Sequence, residues 1–276
     1  MSNFIQRAIT GILFVMVIGA AFVLSPVTYA IVMVCVITLA TNEFCRMVRY
    51  SDIVIHPHFF IALATNVVAF TLGFLVFFQG FDTRCLLLLV GMAWSVFLVE
   101  LFTDHPNPIH NIGVTLLCNI YIGMPFALVN LLAFKSGTYN FRPILALFLL
   151  SWINDTGAYL CGITMGKHKL YERVSPKKTI EGLIGGVVLT IGASILLHWV
   201  AVEMDFCYLP LWFCILSGFI VSIIGTCGDL IESKFKRSVC IKDSGTLLPG
   251  HGGILDRFDA TLFAIPIISL LYYFFI

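Results

Sequence analysis

The sequence predicts an all-α, polytopic integral membrane protein with about nine transmembrane helices. Three observations lead there. Of 276 residues, 59% are hydrophobic and only 11% are charged, less than half the charge of an ordinary soluble domain. The mean hydropathy of +1.00 leaves too little polar surface to face water on all sides, so a bilayer must be part of the solvent. The apolar residues fall in runs of about 20, and backbone groups inside lipid must be satisfied within their own segment, which selects helices over strands. Disorder, fibrous repeats and a disulfide scaffold are excluded on the same composition. A net charge of +1 gives no basic face for nucleic acid.

The first run, Ala8–Leu24, follows Met1-Ser-Asn-Phe-Ile-Gln-Arg7. That start has the layout of a signal peptide but no clear small-residue cleavage site, so an uncleaved span is expected. The second run, Val27–Ala40, is short, and Ser25-Pro26 joins it tightly to the first, which predicts a hairpin. Phe59–Phe78, Cys85–Phe102 and Ile112–Phe134 complete an N-terminal half, residues 1–141, with short loops and few charges. Residues 142–276 hold Ile144–Leu160, Ile180–Val202, Leu209–Ile224 and Phe258–Ile276, with two basic loops between them. The polar residues of the first half, Glu100, Asn66, Asn119 and Asn130, are expected to hydrogen-bond between helices. Nine cysteines show no metal-ligand spacing and read as packing thiols.

Lysine and arginine set the orientation. Lys167, Lys169, Arg173, Lys177 and Lys178 follow the sixth span; Lys234, Lys236, Arg237, Lys242 and Arg257 follow the eighth. With both loops in the cytoplasm, Arg7, Arg46 and Arg49 also fall inside, and only Arg84, Lys135 and Arg142 fall outside. The expected N-terminus is therefore cytoplasmic, as is Cys240, while the C-terminus and Cys207 face the opposite side. Ten of the fifteen acids lie from Asp155 to Asp259, most of them in or beside the same basic loops. Acids and bases interleaved at one membrane face suit a polyanion together with a metal.

The densest stretch runs Gly228-Asp229-Leu-Ile-Glu232-Ser233-Lys-Phe-Lys236-Arg237, then Lys242-Asp243-Ser-Gly245, then Pro249-Gly250-His251-Gly252-Gly253-Ile-Leu-Asp256-Arg257-Phe-Asp259. Its first part is expected to continue the eighth helix out of the membrane. Asp229, Glu232 or Ser233, and Lys236 would then share one face. Three glycines around His251 permit a backbone that approaches a ligand closely. Asp256 and Asp259 fall in the first turns of the last helix, where free N–H groups favour anions. Asp229 and Asp256 could converge on one or two divalent ions. Taken singly, each basic residue also reads as a topology determinant, each acid as a cap and His251 as a hydrogen-bonded loop residue.

The run from Ser233 to Asp259 resembles the signature of the phosphatidate cytidylyltransferase, or CDP-diacylglycerol synthase, family, and no position in it departs from that pattern. Asn154-Asp155-Thr156-Gly157-Ala158-Tyr159 and Ser175-Pro176-Lys177-Lys178-Thr179-x-Glu181-Gly182 resemble the same family. Bottom-up, Asp155 sits near the cytoplasmic end of the sixth helix, Ser175-Pro176 starts the seventh, and Lys177-Lys178 serve either as phosphate ligands or as a membrane anchor. Gly182-x3-Gly186 reads as a close helix contact. Asn42-Glu43 closes the second span, and no role is assigned to it.

The resemblance implies transfer of CMP from CTP to phosphatidate in phospholipid biosynthesis, giving CDP-diacylglycerol and pyrophosphate. It implies Mg²⁺ on Asp229 and Asp256, with Lys236 and Lys242 also catalytic. Ser233, Arg237, His251, Arg257, Asp155, Lys177 and Lys178 would bind substrate, with Asp243 and Asp259 as secondary candidates. The implied partners are CTP, phosphatidate and the bilayer, with a homodimer as a candidate assembly. The expected location is a bacterial inner membrane, with the site at the cytoplasmic face. A CTP-dependent lipid kinase is the near rival, and a transporter or channel is the rival from another class. A CDP-alcohol phosphatidyltransferase would carry Asp-Gly-x2-Ala-Arg, which is absent.

Overall fold

The computed structural model describes residues 3–135, 137–205, 209–245, 247 and 252–276, with side chains from residue 10 onward. His251 and Cys207 lie outside the described residues, as does the side chain of Arg7. The fold is the expected all-α one. Eight described helical segments are long and apolar enough to cross a membrane: Pro26–Val48, Phe59–Gln79, Thr83–Leu101, Pro108–Phe134, Arg142–Met165, Ile180–Glu203, Leu211–Ser238 and Leu255–Phe275. The helix before them, α1 (Asn3–Leu24), is apolar over Thr10–Leu24.

The chain divides into two compact units, Met1–Phe141 with Phe235–Phe258, and Arg142–Lys234 with Asp259–Ile276. The first unit starts with α1 and α2 (Pro26–Val48). Ser25 makes the tight connection between them: its hydroxyl accepts the Thr28 N–H at 3.1 Å, and the Thr28 hydroxyl accepts the Ser25 N–H at 3.1 Å. This capping box, with Pro26 at the first helical position, starts α2 sharply. The helix then runs eight residues beyond its expected end at Ala40, so Glu43 lies inside it.

Next come α3 (Phe59–Gln79) and α4 (Leu87–Leu101), the latter entered through a 3₁₀ turn at Thr83–Leu86. The fifth span is two helices, α5 (Pro108–Cys118) and α6 (Met124–Phe134), joined by a π turn at Asn119–Gly123. Pro125 explains the widening: it has no N–H, and its ring crowds the carbonyl four residues back. The ring of buried Tyr29 meets Phe22, Phe70 and Tyr139 at centroid distances of 5.7–5.8 Å. Its hydroxyl donates to Asn130 Oδ1 at 3.1 Å.

The polar residues of this unit join helices as expected, with one exception. Asn66 donates to Thr41 at 2.9 Å, and Asn130 donates to the Phe70 carbonyl at 3.1 Å. Glu100 takes His58 Nε2 at 2.5 Å and Asn111 Nδ2 at 2.8 Å. The exception is Asn119, whose buried side chain makes no hydrogen bond among the described residues.

The second unit pairs α7 (Arg142–Met165) with α8 (Ile180–Glu203). Gly182 and Gly186 are the expected close contact: a Cβ on Gly182 would lie 2.7 Å from the Ala158 carbonyl, and one on Gly186 2.7 Å from Asn154 Oδ1. Two sequence expectations are corrected here. First, α7 continues ten residues past Asp155, so that acid lies inside the helix, about 15 Å of rise from its end. The run after Asp155 contains no proline, and Gly157 and Gly162 lie inside the helix, where they pack against α8, so the helix continues.

Second, Ser175-Pro176 does not start α8. It lies in β2 (Ser175–Thr179), antiparallel to β1 (Lys169–Tyr171), with Lys169 opposite Thr179 and Tyr171 opposite Ser175. Thr179 is the cap instead, its hydroxyl accepting the Gly182 N–H at 3.1 Å. Proline is tolerated in β2 because a two-stranded hairpin leaves one edge of each strand unpaired.

Two helices pass from one unit to the other, α9 (Leu211–Ser238) and α10 (Leu255–Phe275). At 28 residues α9 is about 42 Å long, more than the roughly 30 Å of a hydrocarbon core, so one end must leave the lipid. Its C-terminal third carries Asp229, Glu232, Ser233 and Lys236, as the sequence predicts.

Candidate active site

In the first unit, the loop after α9 and the start of α10 are tied together by two buried carboxylates. Asp256, in the first turn of α10, accepts Lys236 Nζ on Oδ1 at 2.6 Å. Its Oδ2 accepts the Ser244 N–H at 3.0 Å and the Gly253 N–H at 2.7 Å. Lys236 and Asp256 side chains are only 10% and 9% exposed, so this ion pair is shielded from water.

Glu43 of α2 is the second carboxylate, and the sequence reading gave it no role. Its Oε1 accepts the Ile254 N–H at 3.0 Å, and its Oε2 accepts the Leu255 N–H at 2.9 Å and the Ser244 hydroxyl at 3.1 Å. Gly245 and Gly253 press so closely on Glu43 that a Cβ on either would overlap its carboxylate. The signal for Glu43 was a lone acid near the end of an apolar helix, where an unpaired charge is costly.

The acids of the second unit form a looser group. Gly228 lets α9 pack directly on α10, since a Cβ there would lie 2.6 Å from the Asp259 carbonyl. Asp229 follows it and takes Lys178 Nζ from β2 at 2.5 Å on Oδ2, while Ser233 donates to Oδ1 at 3.3 Å. These side chains are 26% exposed for Lys178 and 30% for Asp229, so water reaches the pair. Asp259 is buried and feels the like charges of Asp229, Glu232 and Asp155. At the base of the hairpin, Glu181 Oε2 accepts the Lys167 N–H at 3.0 Å and Oε1 bonds His168 Nδ1 at 2.6 Å, which ties the entry to β1 to the first turn of α8.

The other predicted residues are placed as follows. Lys177, Arg237, Lys242, Asp243 and Arg257 are exposed, and Arg237 donates to the Ile241 carbonyl at 3.2 Å. Lys242 and Asp243 sit in the loop that Ser244 anchors. Among the described residues no group of three or more His, Cys, Asp or Glu side chains is arranged to hold a metal ion by itself. Chemically, the first unit offers a shielded carboxylate with its lysine, the second offers a water-facing one, and Lys177, Lys242 and Arg257 are exposed cations of a type that binds phosphate oxygens.

Comparison with known proteins agrees with the signature. A profile of the cytidylyltransferase family matches residues 5–275. The phosphatidate cytidylyltransferase of Staphylococcus epidermidis is 38% identical over 183 residues, 66% of this chain and 67% of that one. Those of Staphylococcus haemolyticus, over 183 residues, and Staphylococcus aureus, over 184, are also 38% identical, with the same coverage.

Proposed function

The chain belongs to the cytidylyltransferase family, and on that premise we propose that it transfers CMP from CTP to phosphatidate, giving CDP-diacylglycerol and pyrophosphate. The observation that carries the reading is the segment from Gly228 to Asp259, in which two aspartates are each held by a lysine beside helices able to cross a membrane. A phosphate oxygen of the lipid attacks the α-phosphorus of CTP, and the bond from that phosphorus to the β-phosphate oxygen breaks. No general base is needed, because the phosphate monoester is already a charged nucleophile. The main barrier is repulsion between two anions, and cations must screen it. Lys178, Lys177, Arg237, Lys242 and Arg257 are the residues proposed to grip phosphates, with Lys236 holding Asp256 in place and Ser233 orienting Asp229.

Magnesium is the proposed cofactor. Its donors here fit: Mg²⁺ is usually held by one or two carboxylates plus substrate phosphates and water, rather than by a closed protein cage. Asp229 is part-exposed and offers hard oxygens, and Asp256 keeps one lone pair on Oδ1 beyond its bond to Lys236. When bound, the ion would neutralise phosphate charge and stabilise the leaving pyrophosphate. The proposed setting is a bacterial inner membrane, with the site facing cytoplasmic CTP. Supporting it are bacterial relatives and the clustering of basic residues in alternate loops.

The test is pyrophosphate release by the purified protein with Mg²⁺ and CTP. Release that requires phosphatidate, and is not supported by diacylglycerol or a polyprenol, is expected. Release of CDP with an alcohol acceptor would instead make the protein a kinase. Orientation is checked on a variant retaining Cys240 alone, which is exposed. A membrane-impermeant maleimide should leave it unlabelled in intact cells and label it in inverted vesicles; the reverse pattern would overturn the topology.

A further inference from the structure

Glu43 lies 201 to 212 residues before the groups it holds, and it comes from a helix to which the reaction above assigns no part. It is only 7% exposed, and both oxygens are engaged, by the Ile254 and Leu255 N–H groups and the Ser244 hydroxyl. Those two amides open α10 and have no partner within the helix, and a carboxylate also suits the positive end of the helix dipole. Ser244 and Gly253 pass the restraint on. Their N–H groups hold Asp256 Oδ2 at 3.0 and 2.7 Å, while Lys236 holds Oδ1. Glu43 therefore fixes both ends of the loop whose two amides orient Asp256. The glycines at 245 and 253 are the space that this carboxylate fills.

We propose that Glu43 is a positioning residue for cytidylyl transfer: it touches no substrate, but sets the loop and the first turn of α10 so that Asp256, held by Lys236, keeps one geometry when the triphosphate binds. The proposal rests on the reaction reading given above. Glu43→Gln is the sharp variant, because it keeps the size and places an NH₂ group against either the Ile254 or the Leu255 N–H, whichever way the amide turns.

The purified protein is expected to stay inserted and to melt within a few degrees of the wild type. Its kcat should fall at least tenfold and its KM for CTP should rise, while its KM for phosphatidate changes less than twofold. Hydrogen exchange read by mass spectrometry should speed at least tenfold at residues 254 and 255, and not in α7 or α8. Adding Ser244→Ala should cost little more, since that hydroxyl acts through the same carboxylate.

Wild-type kcat and CTP KM in Glu43→Gln, or unchanged exchange at 254 and 255, would overturn the proposal. If Glu43→Gln fails to insert, Ser244→Ala alone decides: faster exchange at 254–255 with a raised CTP KM supports it, and wild-type values on both overturn it. A wild-type protein that makes no CDP-diacylglycerol would sink the reaction reading. The exchange readout would then still show whether Glu43 fixes the loop.

Discussion

Asp256 and Asp229 are both paired with a lysine, yet the two regions around them differ. Asp256 has a shielded lysine and two backbone amides, on a loop held at both ends by Glu43. Asp229 has a part-exposed lysine from a hairpin strand and one long bond from Ser233. Removing one partner of a buried pair costs about 3–5 kcal/mol, whereas an exposed pair contributes about 0–1 kcal/mol. The first aspartate is thus part of a rigid frame, and the second is open to exchange its lysine for another cation.

The largest expected effect comes from attacking the frame. Lys236→Ala strands a buried carboxylate and should lower thermal stability by about 3–5 kcal/mol, with activity down more than about 100-fold. Scanning calorimetry beside a CTP turnover assay checks both. A mild loss in both would mean that the region around Asp256 is as adaptable as that around Asp229.

Asp229→Asn should leave the loop and its amide protection intact. Its half-saturating Mg²⁺ concentration should rise by at least about 10-fold, since losing even an outer-shell partner costs about 10–100-fold and Asp229 is proposed as a direct donor. Near-normal turnover at limiting Mg²⁺ would remove Asp229 from the metal's donors. The smallest change belongs to Lys178→Ala. The pair is part-exposed, so stability should move by no more than about 1 kcal/mol, while KM for CTP rises several-fold. An unfolding midpoint as far reduced as that of Lys236→Ala would erase the contrast between the two regions.

The order and nature of the helices were legible because a bilayer permits few solutions. Each expected apolar run has a helix behind it, from Phe59–Gln79 to Leu255–Phe275. Their ends were less legible. An apolar run ends before its helix does, so α2 reaches Val48, α7 reaches Met165 and α9 reaches Ser238. The π turn before Pro125 was hidden because helical spacing looks continuous across it. The acids and bases between Asp229 and Asp259 were legible as candidates because they lie close together in the sequence. Glu43 was not, since its worth depends on two backbone amides and a serine more than 200 residues away, and nothing in local spacing points there.

The reaction itself is decided by following phosphorus. Purified protein is supplied with phosphatidate, Mg²⁺ and CTP labelled at either the α- or the γ-phosphorus, and the extracted lipid is counted. Cytidylyl transfer predicts lipid label from the α-position alone, with γ-label recovered in pyrophosphate. Lipid label from the γ-position, or none from either position across several acceptors, would contradict it.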